Sequence, residues 1–189
     1  MWPDAYSTIS TLAHHGHVWL LSGVLLLAAA IDGWKLKVPN WLTFPLVIAG
    51  WIYSSFYFGW AGLGWSLAGT AVGLGLLLPA YAIGGMGAGD VKLLAGVGAW
   101  VWATATFYAF CTSAIVGAVI AILMVLCRRA WRRHYAQFLA ILTEILVVRD
   151  PVALSHSAAE RKNSMLLLPY GIPIALGSIG YFVWTGMLY

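Results

Sequence analysis

The sequence predicts an all-α, polytopic integral membrane protein with six transmembrane helices and a cytoplasmic amphipathic helix between the fifth and the sixth. Three observations predict it. Of the 189 residues, 62% are hydrophobic and 8% charged, an apolar share far above that of a soluble globular domain. Apolar runs recur along the whole length with no polar stretch long enough for a soluble unit, so 1–189 reads as a single membrane-embedded domain. The third is the placement of charge, taken up below with topology.

Residues 1–16 hold no Lys or Arg and so lack the basic segment of a cleavable signal peptide; the first helix is expected to stay. His14, His15 and His17 form a short histidine group without an adjacent carboxylate, which reads as interfacial and not as a metal site. A bilayer span needs about 20 apolar residues, fewer when neighbours shield it. On that measure helices are expected near 17–33, 41–58, 63–84, 89–102, 104–127 and 166–187. Pro39-Asn40 separates the first two, and the short link Trp102-Ala103-Thr104 separates the fourth from the fifth. Trp51, Tyr53, Tyr57 and Trp60 cluster at the far end of the second helix, as an interfacial aromatic belt would. Gly69 and Gly73 form a G-x-x-x-G that close helix packing explains by itself.

Loops that stay in the cytoplasm carry the excess of Lys and Arg. With the N-terminus outside and six helices threaded in turn, all ten Lys and Arg fall on the cytoplasmic side. Joining the fourth and fifth helices would send either Lys92 or the Arg128–Arg133 cluster outside. The same threading brings Asp32, at the end of helix one, and Asp90, at the start of helix four, to one depth on the cytoplasmic face of the cell's inner membrane. Within the loop 128–165, Trp131, Tyr135, Phe138, Leu142 and Ile145 form an apolar stripe, with Arg132, Arg133, His134 and Gln137 mainly off it. That pattern predicts a basic amphipathic helix in the cytoplasmic interface. A net charge of +4 follows from these loops and does not indicate nucleic-acid binding. Cys111 and Cys127 read as free thiols in helix packing, too few for a four-cysteine zinc site; neither a metal nor a cofactor is expected.

In a chain this poor in charge, a carboxylate at a membrane boundary is costly unless something uses it. Asp90 follows four glycines in Gly84-Gly85-Met86-Gly87-Ala88-Gly89, and Asp32 ends the first apolar run. Two carboxylates close together hold one proton between them and titrate as a pair. Such a pair suits hydrolysis of a peptide by water, one group taking a proton from the water while the other donates to the carbonyl oxygen. The glycines would let a substrate backbone come close. Lys92, two residues on, is expected to point away as an interface anchor. Helix six opens on Leu168-Pro169-Tyr170-Gly171-Ile172-Pro173, broken backbone that hints at a site wall at Pro169 and Tyr170. From spacing alone a small ion-coupled transporter using the same aspartates stays open beside hydrolysis, although it calls for internal repeats that are not found.

Gly87-Ala88-Gly89-Asp90 matches the G-x-G-D motif of intramembrane aspartyl proteases, and the wider pattern resembles the type IV prepilin peptidases and their archaeal preflagellin relatives. Asp32 is followed by Val38-Pro39-Asn40-Trp41-Leu42-Thr43, similar to the segment after that family's first catalytic aspartate. Asp90-Val91-Lys92-Leu93 matches the continuation of the second, and Pro169-Tyr170-Gly171-Ile172-Pro173-Ile174-Ala175 looks like its last-helix signature. The resemblance implies an endopeptidase that removes the basic cytoplasmic leader of a prepilin or pseudopilin in the membrane, cutting after a glycine just before the hydrophobic helix. It implies Asp32 and Asp90 as the catalytic pair, with Gly87 and Gly89 shaping the surroundings of the second. Bifunctional members carry an N-terminal segment with paired C-x-x-C motifs that has no counterpart here. Peptidase activity without N-methylation is therefore expected, as in the short forms of tight-adherence pili.

Overall fold

In a computed structural model, the structure describes residues 3–82, 85–127 and 169–189, with side chains described from His15 onward except at Val125 and Cys127. Apart from short turns the described residues are helical, with no strand among them: α1 (Pro3–Lys35), α2 (Asn40–Ala82), α3 (Ala88–Cys127) and α4 (Gly171–Trp184). Among them three helices are long and apolar enough to cross a membrane, over His15–Lys35, Asn40–Ala82 and Ala88–Met124; Gly171–Trp184 is a shorter apolar helix. The expected amphipathic helix in 128–165 lies outside the described residues.

α1 begins at Pro3 and not near residue 17. Proline at the first helical position loses no hydrogen bond, and nothing between it and Gly16 breaks a helix. The start near 17 marks where the apolar run begins, not where the helix does. α4 is shorter than the expected 166–187. Pro169 and Tyr170 precede it as coil and turn, and a left-handed Gly186 (φ 71°) closes its other end, with Met187 N–H on the carbonyl of Phe182 at 2.9 Å.

Two helices are folded back on themselves. α2 is interrupted at Gly59 (φ 63°, ψ −152°) and α3 at Trp102 (φ 64°, ψ −177°). Trp51 Nε1 donates to Thr70 Oγ1 at 3.0 Å although the two are 19 residues apart, a separation of about 28 Å along a straight helix. The 40–58 and 60–82 arms of α2 are thus antiparallel. Across Trp102, Leu94 and Phe110 line one cavity, so the arms of α3 fold back in the same way. A Cβ on Gly69 would overlap the carbonyl of Gly98, and one on Gly73 would lie 2.5 Å from the carbonyl oxygen of Leu94. These contacts run the 60–82 arm antiparallel to 88–101, with the G-x-x-x-G at their seam; Gly75 meets nothing within 4 Å and has no part in it. The 103–127 arm packs antiparallel on α4 through Thr112 to the carbonyl of Gly177 (2.9 Å) and Ser113 to that of Ile174 (3.3 Å). α1 packs antiparallel on α4 through Trp19 Nε1 and the carbonyl of Leu188 at 3.0 Å.

The core is small and mainly aliphatic, built on Leu21, Leu25, Leu93, Leu94, Val97 and Ile174 together with Phe182. Most large apolar side chains face outward, Phe56, Trp60 and Trp184 being more than 80% exposed, as expected where lipid is the solvent. The aromatic belt is divided. Tyr57 and Trp60 face out, whereas Trp51 binds Thr70 and Tyr53 stacks between His17 (5.1 Å) and Trp100 (5.3 Å) inside the bundle.

Candidate active site

The alternation of helix direction collects the end of α1 and the starts of α2, α3 and α4 at one end of the bundle. Three contacts fix that end. Gly171 N–H donates to Asp32 Oδ2 at 2.8 Å, a Cβ on Gly89 would stand 2.6 Å from the carbonyl oxygen of Val38, and Lys92 Nζ donates to Asn40 Oδ1 at 3.0 Å. Asp32 and Asp90 are both buried there, 3% and 7% exposed.

Each aspartate is held by the backbone of another turn. Tyr170 stands at the N-cap of α4 and gives no side-chain cap. The donors of the first turn can nevertheless be accounted for. Ile172 N–H reaches the carbonyl of Pro169 (3.2 Å) and Ile174 N–H that of Tyr170 (3.1 Å), Pro173 has no N–H, and Gly171 N–H goes to Asp32. Asp32 thus caps α4 from another helix, where the helix dipole favours an anion. Only glycine fits at 171, because a Cβ would lie 2.9 Å from Asp32 Oδ2. After Asp32 the chain turns sharply: Leu36 takes φ 51° and donates its N–H to the carbonyl of Asp32 at 2.8 Å.

Asp90 is the third residue of α3, and its Oδ2 accepts the N–H of Gly87 at 3.3 Å. This is the backward half of a capping box. Its Oδ1 is buried and has no hydrogen-bond partner among the described residues. A Cβ on Gly87 would stand 3.2 Å from Asp90 Oδ2, so Gly87 keeps that side of the carboxylate free of a side chain, whereas Gly89 makes room for Val38. Pro169 and Tyr170 lead directly into the Gly171 contact, and Tyr170 also lines a neighbouring cavity. Gly84 lies outside the described residues.

Two features escaped sequence reasoning. Lys92 does not simply anchor at an interface: besides binding Asn40 it lies over the Phe44 ring, 4.8 Å from its centroid, tying the start of α2 to the start of α3. Gly171 stood inside a quoted motif without a role; a glycine flanked by prolines at a helix start was the available signal of a close approach. Among the described residues no group of three or more His, Cys, Asp or Glu gathers as a metal site.

The profile of the type IV leader peptidase family matches residues 19–122. The chain belongs to that family. The match takes in both aspartates, the segment after Asp32 and the G-x-G-D. Among curated proteins, the prepilin leader peptidase/N-methyltransferase of Aeromonas salmonicida (strain A449) is 34% identical over 116 residues, 58% of this chain and 40% of that protein. The protein of the same description from Aeromonas hydrophila gives the same figures. That of Neisseria gonorrhoeae is 33% identical over 135 residues, 65% of this chain and 46% of its own length. The chain therefore spans less than half the length of the curated relatives it matches. No solved structure matches. Nothing in the family match favours an ion-coupled transporter.

Proposed function

We propose that this chain is an intramembrane aspartyl endopeptidase that removes the basic leader of prepilin-like proteins, with Asp32 and Asp90 as the catalytic pair. The observation that carries the reading is their shared position: two buried carboxylates from distant parts of the chain at one end of the bundle, each fixed on one oxygen by a backbone N–H. In the proposed reaction a water lies between them. One carboxylate takes its proton as the oxygen attacks the scissile carbonyl carbon, and the other donates a proton to the carbonyl oxygen. The tetrahedral intermediate then collapses, the C–N bond breaks and the leaving nitrogen takes up a proton. Backbone hydrogen bonds hold both groups in place before substrate arrives, which is where most of the catalytic advantage of such a site arises.

The breaks at Gly59 and Trp102 support six crossings, each helix arm counting as one. Lys35, Lys37 and Lys92 belong to the aspartate end, which supports a cytoplasmic position for it, an outward N-terminus and a location in the inner membrane. A basic leader would then meet the pair on the side where it is made. The substrates in this reading are prepilins, which the descriptions of the relatives name, or the similar pseudopilins. The reading is of leader removal alone, although the descriptions of the relatives also name N-methylation, and the product's amino terminus decides between the two.

The test is co-expression with a leader-bearing prepilin and mass spectrometry of the product. Asp32→Asn and Asp90→Asn are each expected to leave the leader in place while the protein accumulates normally in the membrane. Normal trimming by either variant refutes the catalytic pair, and a methyl group on the new amino terminus refutes the restriction to leader removal.

A further inference from the structure

At the end of the bundle away from the aspartates lies a cavity of about 460 Å³, within the range of about 300–1,000 Å³ usual for a small-molecule site. The proposed reaction has no use for it. Its walls are the 60–82 arm of α2 at Gly64, Trp65 and Ala68, the reversal of α3 from Val101 to Ala105, and Tyr181 of α4. A Cβ on Gly64 would meet nothing within 4 Å, so the space left by its missing side chain is filled by no other residue. Gly64, Trp65, Ala68 and Thr104 are exposed, and the cavity therefore opens on the outer surface of the bundle, where lipid would lie.

The lining decides the chemistry of an occupant. No lining side chain is charged, and an ion would lose its hydration there without gaining a counter-charge. The polar groups at the opening are the Thr104 and Tyr181 hydroxyls and the Trp65 indole N–H, and none has a hydrogen-bond partner among the described residues. Trp102 Nε1 is buried and unpartnered as well. Elsewhere in the bundle such groups are satisfied. Trp19, Trp51 and Trp100 each donate to an oxygen, and the Thr106 and Thr112 hydroxyls donate to backbone carbonyls. Donors without acceptors on an apolar groove call for an occupant that brings acceptors beside a hydrocarbon chain. A helix of a second protein lacks them, because its backbone carbonyls are engaged within the helix. A glycerolipid has them, as ester carbonyls where its acyl chains begin.

We propose that this cavity holds an acyl chain of a membrane glycerolipid, with the ester carbonyl at the head of that chain accepting a hydrogen bond from Thr104. In the topology proposed above the lipid comes from the outer leaflet. With no cation in the lining, the headgroup stays outside and is not selected. The chain would cover the reversal at Trp102, whose left-handed backbone (φ 64°) is disfavoured for any residue but glycine. The site is thus separate from leader cleavage and serves the closed end of the bundle.

The experiment uses the full chain in detergent micelles and a phosphatidylcholine with a diazirine in one acyl chain, cross-linked by light and mapped by mass spectrometry. Labels are expected on Trp65, Ala68 or Tyr181. Unlabelled phosphatidylcholine and phosphatidylglycerol with the same chains are expected to displace the probe equally. An ether-linked phosphatidylcholine, which lacks the carbonyls, should displace it about two- to ten-fold less well, the equivalent of one net hydrogen bond. Thr104→Val, close in shape to the native residue, should make ester and ether lipids equal. Gly64→Leu, whose side chain enters the cavity, should lower labelling there about ten-fold, since displacing two methylene groups is already worth that much. Labels spread evenly over the exposed helices would overturn the site and leave only annular lipid. Labelling undiminished by Gly64→Leu, a strong preference for one headgroup, or equal displacement by ester and ether lipids on the unsubstituted chain would overturn it too. So would a dimer that Gly64→Leu dissolves, which would make a second copy the occupant. No arm requires turnover, so loss of the peptidase reading would leave the lipid site standing.

Discussion

The two ends of the bundle are built from different chemistry. At the aspartate end helices meet through polar contacts between distant segments, Gly171 to Asp32 and Lys92 to Asn40, and Gly87 holds Asp90 locally at the start of α3. At the opposite end the reversals at Gly59 and Trp102 need a single residue each, and rings close them. Trp102 meets Phe58 at 5.3 Å and Trp65 at 5.1 Å, both edge-on. Gly59 and Trp102 share a backbone region that is ordinarily reserved for glycine. The far end thus keeps the fold closed with aromatic packing, while the near end spends buried carboxylates and loop backbone on geometry. The division predicts that damage at one end is read as lost activity and damage at the other as lost stability.

The largest expected effect is at the pair itself, where Asp32→Asn or Asp90→Asn should lower the cleavage rate by about 10²–10⁴-fold, the range for removing a positioned acid or base. Second is Gly171→Ala. Its Cβ would sit 2.9 Å from Asp32 Oδ2, so the carboxylate must move, and a displacement of about 1 Å near the chemistry can cost about 10²-fold in rate. Steady-state kinetics on a leader peptide should show the loss in kcat with folded yield maintained. An unaltered kcat would mean that the α4 cap does not position Asp32. At the far end, Trp102→Ala keeps the disfavoured backbone and loses two edge-on ring contacts, so it should destabilise the protein by about 1–3 kcal/mol. Thermal unfolding in detergent should place Trp102→Gly above Trp102→Ala, because glycine relieves the backbone that alanine retains. Cleavage by the folded Trp102 variants is expected to be unchanged; a kcat loss as large as that of Gly171→Ala would erase the distinction between the ends.

The same division decides what could be read from sequence. Asp32 and Asp90 stood out because charge is scarce, and the reversals near 59 and 102 were legible as gaps between apolar runs; the structure puts both aspartates at one end and breaks the helices at those places. Hydropathy could not show that α1 continues back to Pro3, since helix and apolar run need not share a boundary. Nor could local pattern find the contacts that hold the site. Gly171 and Asp32 are 139 residues apart, and Lys92 and Asn40 are 52 apart. Periodicity reports which face of a helix is buried but not which residue on another helix meets it. For Lys92 the expectation rested on spacing alone, two residues past Asp90 on one helix. It overlooked that the start of α2 waits there.

The smallest effect tests whether that last contact belongs to the site or merely borders it. Lys92 Nζ sits between Asn40 Oδ1 (3.0 Å) and the Phe44 ring (4.8 Å) at an exposed edge, so the hydrogen bond competes with water and is worth little as stability. It does, however, pull the start of α2 onto the start of α3 beside Gly89, where the backbone is in contact with Val38. Lys92→Met should therefore reduce kcat by roughly two- to ten-fold, the rate equivalent of one net hydrogen bond, with KM and melting temperature nearly unchanged. Asn40→Asp, which keeps an acceptor for the ammonium group, should retain activity where Asn40→Leu does not, and Asn40→Leu combined with Lys92→Met should be no worse than either alone. Additive losses in that cycle would mean that the two side chains act separately, and the aspartate end would then be set by the Gly171 and Gly87 backbone contacts without help from its rim.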